Sequence, residues 1–242
     1  MLAAVGWGAL AASSLVLGAL LAFSRRWPRQ QVGLVLAIGA GALISAVSFE
    51  LAGEGIEVGS LRSTAIGLGV GALTYYSLDG LIARRMSAGR GREGRAAGSD
   101  PGTALALGAF LDGIPEQLVL GIGLAAGDGI GVSLLVAIFV SNLPEAIGSA
   151  TQMSGSGVAR SRVLGLWGSV AAICALTTVV GYAIADSTSG ELSAAINGFA
   201  AGALLVMLID SMIPEARRDA GRVAGLVATL GFAVAAALSS VS

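Results

Sequence analysis

The chain has 242 residues, 55% hydrophobic and only 12% charged, with fourteen arginines, no lysine and no histidine. A soluble domain carries about 25% charged residues, so this composition excludes an ordinary water-soluble core. The net charge of −1 leaves no basic face of the kind a nucleic-acid partner requires.

Apolar runs of about 20 residues recur along the chain, the length a helix needs to cross a hydrocarbon core. Backbone polar groups in lipid must be paired internally, so each run is expected to be helical. The alternating pattern of a membrane β-barrel is absent. Eight spans are predicted, at about 2–23, 32–53, 64–83, 102–125, 129–152, 163–185, 192–215 and 221–240. The expected class is therefore an all-α polytopic membrane protein. The first run, Leu2 to Phe23, has no basic residue before it and Arg25 and Arg26 after it. A cleaved signal peptide carries its positive charge first, so a retained span is expected. Residues 84–101 read as a polar, arginine-rich loop between spans 3 and 4, and residues 1–242 as one integral-membrane domain. Cys174, inside an apolar run, is expected to be a small core residue.

The arginines sort by side. Arg25, Arg26 and Arg29, then Arg84, Arg85, Arg90, Arg92 and Arg95, then Arg160 and Arg162, then Arg217, Arg218 and Arg222 fall in alternate connections, and only Arg62 falls on the other side. The positive-inside rule places those four connections in the cytoplasm and both termini outside.

An internal echo links spans 2 and 7. Ala40-Gly41-Ala42-Leu43 recurs as Ala201-Gly202-Ala203-Leu204, an offset of 161 that also brings Glu54 onto Glu215. The two spans cross in opposite directions, so spans 1–3 and 6–8 are expected to form an inverted repeat around a central pair, spans 4 and 5. Such repeats place substrate sites near the midplane.

Charge within a span is costly, by about 2.5–3.5 kcal/mol per Asp on insertion scales. Glu50, Asp79, Asp112, Glu116, Glu145 and Asp210 nevertheless lie inside spans. With the arginines assigned to loops, these acids are expected to lack basic partners and to require a cation, a proton or water. The strongest pattern is a duplicated Pro-Glu: Asp112-Gly113-Ile114-Pro115-Glu116 in span 4 and Ser141-Asn142-Leu143-Pro144-Glu145 in span 5. Each places a polar residue four before the glutamate, on the same helix face. Each proline removes the hydrogen bond to the carbonyl four residues back, freeing the carbonyls of Leu111 and Val140. Asp112, Glu116, Ser141, Asn142 and Glu145 are thus the candidate ligands of a divalent cation. Glu50, Asp79, Asp210 and Glu215 are the further acidic residues in or beside the predicted spans. Two other readings stand beside this one: a proton- or sodium-coupled carrier of another cation, and an intramembrane aspartyl hydrolase built on Asp79 and Asp112.

On LDGIPEQLVLG (111–121), SNLPEAIGSA (141–150) and AAGALLVMLIDSMIPEA (200–216), the chain resembles the ZIP (Zrt/Irt-like) metal transporters, particularly their prokaryotic branch. The resemblance implies eight spans with both termini outside and a metal site between spans 4 and 5. It further implies uptake of Zn²⁺ or a similar divalent ion into the cytoplasm, with no cofactor beyond that ion. A homodimer in a prokaryotic inner membrane, surrounded by lipid and without nucleic acid, is the implied setting. In the family pattern His-Asn-x-Pro-Glu-Gly, Asp112 takes the histidine position and Gly113 the asparagine. Glu116 and Glu145 match the motif glutamates, and Asn142 and Ser141 match polar ligand positions of span 5. Asp79 and Asp210 resemble acidic positions along the family's metal path, and with Glu50 and Glu215 they are the candidate path residues. Loss of every histidine replaces nitrogen donors by oxygen and opens Mn²⁺ and Fe²⁺ beside zinc. The stretch from Gly165 to Ala172 lacks the span-6 acid of two-metal members, so one principal metal is expected.

Overall fold

The computed structural model describes residues 1–25, 27–89, 101–126, 131–185 and 189–240, with backbone alone at 82–83, 85–89, 101–109, 111–112, 126, 131–133 and 137. The described residues form eight helices and no strand: α1 (Leu2–Ala22), α2 (Arg29–Val58), α3 (Leu61–Gly89), α4 (Pro101–Ala126), α5 (Gly131–Gly155), α6 (Arg160–Ile184), α7 (Gly190–Ala220) and α8 (Val223–Ser239). Among them α1, α2, α6, α7 and the described part of α5 are long and apolar enough to cross a membrane. Large apolar side chains such as Leu10, Ile66, Leu73, Leu176 and Leu226 point outward, while Ser14, Ser149, Thr178 and Asn197 are buried. That inversion of the soluble pattern suits a lipid solvent, and the chain is an all-α polytopic membrane protein.

The ends of the helices follow local chemistry. Ser189 caps α7 by accepting from the Leu192 N–H at 3.3 Å. Gly157 (φ +85) and Gly221 (φ +67) turn the chain after α5 and α7 with backbone angles that favour glycine.

The helices sort into two groups. In one, α1 packs on α5 and α6, and α4 packs on α6; in the other, α3 lies along α7 and α8 along α2. The groups meet where α2 touches α5 and α4 touches α7. Small residues allow the closest of these approaches, as expected where apolar surface gains nothing from leaving lipid. A Cβ added at Gly67 or Gly71 would lie 2.1 or 2.0 Å from the carbonyl oxygens of Ala195 and Phe199, and one at Gly198 or Gly202 would lie 2.1 or 2.0 Å from those of Thr64 and Leu68. The α2–α8 seam is alike: Gly41 faces the Ala228 carbonyl at 1.8 Å by the same measure, and Gly231 faces that of Ile38 at 2.2 Å.

The repeat offset recurs in the structure. Both α2 and α7 contain a π-helical stretch, Val47–Gly53 and Leu208–Met212, and the two begin 161 residues apart. The glycines that meet a neighbour's carbonyl in α2 and α7, Gly41 and Gly202, are separated by the same number, as are the carbonyls presented by Ile38 and Phe199. The α2–α8 pair thus mirrors α7–α3, and α1–α5 mirrors α6–α4.

One expectation needs correcting. The helices outrun the predicted spans, so Arg29, Arg62, Arg84, Arg85, Arg160, Arg162, Arg217 and Arg218 lie within helices rather than loops. The last of these reaches a carboxylate. Arg26 and residues 90–100, most of the arginine-rich connection, lie outside the described residues.

Candidate metal centre

The two Pro-Glu helices, α4 and α5, pack against each other with Pro115 and Pro144 inside them. Glu116 is 1% exposed and Glu145 7%, and Ser141 and Asn142 are buried beside them in sequence. The two carboxylates lie on helices that pack against each other. Neither has an ion-pair partner among the described residues. One oxygen of each, the Oε2, has no hydrogen-bond partner, and neither has the Asn142 Nδ2. An unpaired buried carboxylate is far too costly to stay ionised alone, so this pair demands a proton or a cation. The Ser141 hydroxyl donates to the Ile138 carbonyl at 3.0 Å, which leaves its oxygen lone pairs for another partner.

Three helices converge at the level of Ser141. A Cβ at Gly39 of α2 would lie 3.3 Å from the Ser141 Cα and 3.3 Å from the Val140 carbonyl oxygen, and 2.8 Å from the Met212 methyl of α7. Glycine there lets α2 approach α5 closely. At Gly113 of α4, an added Cβ would meet the Cys174 Sγ of α6 at 2.6 Å. Glycine at 113 thus lets α4 lie close to Cys174, which is buried as expected.

Of the candidate ligands, Asp112 has its side chain outside the described residues; its backbone lies in α4, one turn before Glu116. No group of three or more carboxylates or thiols converges among the residues that are described. Sequence reasoning passed over Gln117, which is fully buried. It accepts a hydrogen bond from Thr178 of α6 at Oε1, and its Nε2 has no partner. It stands where the family pattern has glycine, and an amide directly after an intramembrane Pro-Glu was the signal that could have found it.

The candidate path residues part company. Glu215 interacts electrostatically with Glu145. It accepts from the Gln152 amide of α5 at 3.0 Å and pairs with Arg218 at 3.1 Å. The expectation that the span acids lack a basic partner therefore fails for Glu215, because α7 continues past Pro214 far enough to bring Arg218 back one turn. These groups line a cavity of about 630 Å³ with Trp27, Arg29 and Thr151. Asp79 and Asp210 are exposed and share a second cavity of about 440 Å³ with Tyr76 and Arg84. Glu50 instead accepts from Ser239 where α2 meets α8.

Two carboxylates buried on packed helices of a polytopic bundle, with no ion-pair partner among the described residues, are an arrangement suited to a cation. The comparison with known families agrees: the model of the ZIP zinc transporter family matches residues 84–239, and the chain belongs to that family. No curated protein matches it. The chain is thus a divalent-metal transporter and not an enzyme, and the hydrolase reading of Asp79 and Asp112 is set aside.

Proposed function

We propose that the chain moves a divalent transition metal, zinc first and Mn²⁺ or Fe²⁺ as further substrates, across the membrane into the cytoplasm through a site between α4 and α5. The observation that carries this reading is the pair Glu116 and Glu145, buried on two packed helices and each with an unpartnered oxygen. In this reading Asp112, Ser141 and Asn142 complete an oxygen-rich shell suited to such ions. Carboxylates exchange protons for metal, so affinity depends on pH.

From the centre the ion passes to Glu215, one oxygen of which, Oε1, accepts from both Gln152 and Arg218. That competition keeps the second stop weak and releases the ion into the 630 Å³ cavity. The cavity opens on the side of the arginine-rich helix ends, which the positive-inside rule makes cytoplasmic, with both termini outside. A prokaryotic inner membrane and a homodimeric assembly fit the family likeness. Glu50, Asp79 and Asp210 stay further candidate path residues beside this route, Asp79 and Asp210 on a cavity of their own. The test is Glu116→Ala: metal accumulation is expected to vanish while the protein still folds and inserts, and normal accumulation by the variant removes the site. Elemental analysis of the purified protein, loaded with Zn²⁺, Mn²⁺ and Fe²⁺ in competition, ranks the substrates.

A further inference from the structure

Glu215 stands at one mouth of the route, on the half of the molecule that is repeated in reverse. Its equivalent at the offset of 161 is Glu54. The equivalence no longer rests on a four-residue match. The π-helical stretches of α2 and α7 start at Val47 and Leu208, and each glutamate follows its own stretch within three residues. The closest helix contacts repeat the same spacing, Gly41 with Gly202 and Ile38 with Phe199. Neighbours are exchanged consistently: α2 touches α5 where α7 touches α4. Helices 2 and 7 of an eight-span chain run in opposite directions, so Glu54 and Glu215 belong to opposite faces of the membrane. Glu54 is partly buried, and the next residue, Gly55, packs against Thr64 of α3 and the Ala194 carbonyl of α7, a Cβ there lying 3.0 to 3.3 Å from them. It is thus anchored at a helix junction.

Inverted repeats let a carrier open to either side, because the two halves can exchange roles around a fixed central site. We infer that Glu54 is the intake carboxylate, the outward-face counterpart of Glu215, which meets the hydrated metal and passes it to Glu116 as Glu215 receives it from Glu145. This rests on the proposed route through Glu116 and Glu145.

The experiment compares uptake of radiolabelled Zn²⁺ by cells producing the wild type, Glu54→Gln and Glu54→Asp, with the metal content of each purified protein. Loss of one steering charge is expected to raise the KM of Glu54→Gln by about tenfold, the lower end of electrostatic steering effects. Maximal rate and bound metal stay at wild-type values, and Glu54→Asp restores the KM. An unchanged KM for Glu54→Gln overturns the inference. So does a Glu54→Gln protein that binds no metal, or a Glu54→Asp protein as defective as the amide, since either makes the residue structural. Failure of the underlying route looks different: purified wild type without metal, or Glu116→Gln that still binds it, refutes the central site whatever Glu54 does.

Discussion

Three Pro-Glu dipeptides occur in the chain, at 115–116, 144–145 and 214–215, and they end in two kinds of environment. In α4 and α5 the proline is inside a continuous helix and the glutamate is buried, without an ionic partner among the described residues. In α7 the proline follows a π-helical stretch by two residues, where the bonds already depart from the i−4 ladder that a proline breaks, and its glutamate is held by Gln152 and Arg218. The dipeptide alone therefore does not set the chemistry. What differs is whether the proline strips a hydrogen bond from a helix interior, and whether an arginine one turn away can reach the carboxylate. The first environment makes a site that must be filled, the second one that is already half satisfied.

The largest expected contrast comes from removing each charge in turn. Glu145→Gln is expected to lower metal affinity by more than the roughly 10–100-fold that loss of an outer-shell partner costs. Glu215→Gln should leave equilibrium binding at the centre within a few-fold of wild type and slow release instead. Calorimetric titration with Zn²⁺ and preloaded-vesicle efflux separate the two. If Glu215→Gln proves as damaging to binding as Glu145→Gln, the distinction between centre and mouth is lost.

A smaller contrast tests the prolines. An interior proline costs a helix about 3 kcal/mol, so Pro144→Ala is expected to raise thermal stability by about 1–3 kcal/mol while slowing transport, because the Val140 carbonyl becomes tied to the ladder. Pro214→Ala, just after a stretch that already departs from that ladder, should change stability by less than about 0.5 kcal/mol. Thermal unfolding in detergent reads both, and equal shifts would erase the difference.

Much of this was legible without coordinates, for a physical reason. Lipid imposes one secondary structure on apolar runs, so the all-helical class follows from Leu2 to Phe23 and its successors. The Ala-Gly-Ala-Leu echo was legible because the repeat needs small residues where helices nearly touch, and Gly41 and Gly202 are two of those places. Glu116 and Glu145 were legible because buried carboxylates are rare enough to signal a function. The partner of Glu215 was not: a hydropathy pattern ends a span at the first charges, whereas α7 runs on to Ala220 and turns Arg218 toward the cavity. The Gln117–Thr178 pair was hidden for another reason, since it joins α4 to α6 across 61 residues and neither side chain is unusual alone. The cavity shared by Asp79 and Asp210 depends likewise on α3 lying along α7, which no local pattern encodes.

The finest test concerns Arg218 itself. Its guanidinium is shared between Glu215 and Asp219, each at 3.1 Å, and its side chain is 67% exposed. Water screens such a pair, so it is worth at most about 1 kcal/mol, or roughly fivefold. Arg218→Ala leaves the Glu215 carboxylate with Gln152 alone and more negative toward the cavity, so a cation arriving from Glu145 is held longer there. Turnover is then expected to fall by up to about fivefold with affinity at the centre unchanged. The deficit should shrink as ionic strength rises, because added salt screens the same exposed charges. Efflux from preloaded vesicles at low and high salt measures this. A variant faster than wild type would show that Arg218 holds the ion back at the mouth instead of easing its release, and would reverse the role assigned to the third Pro-Glu.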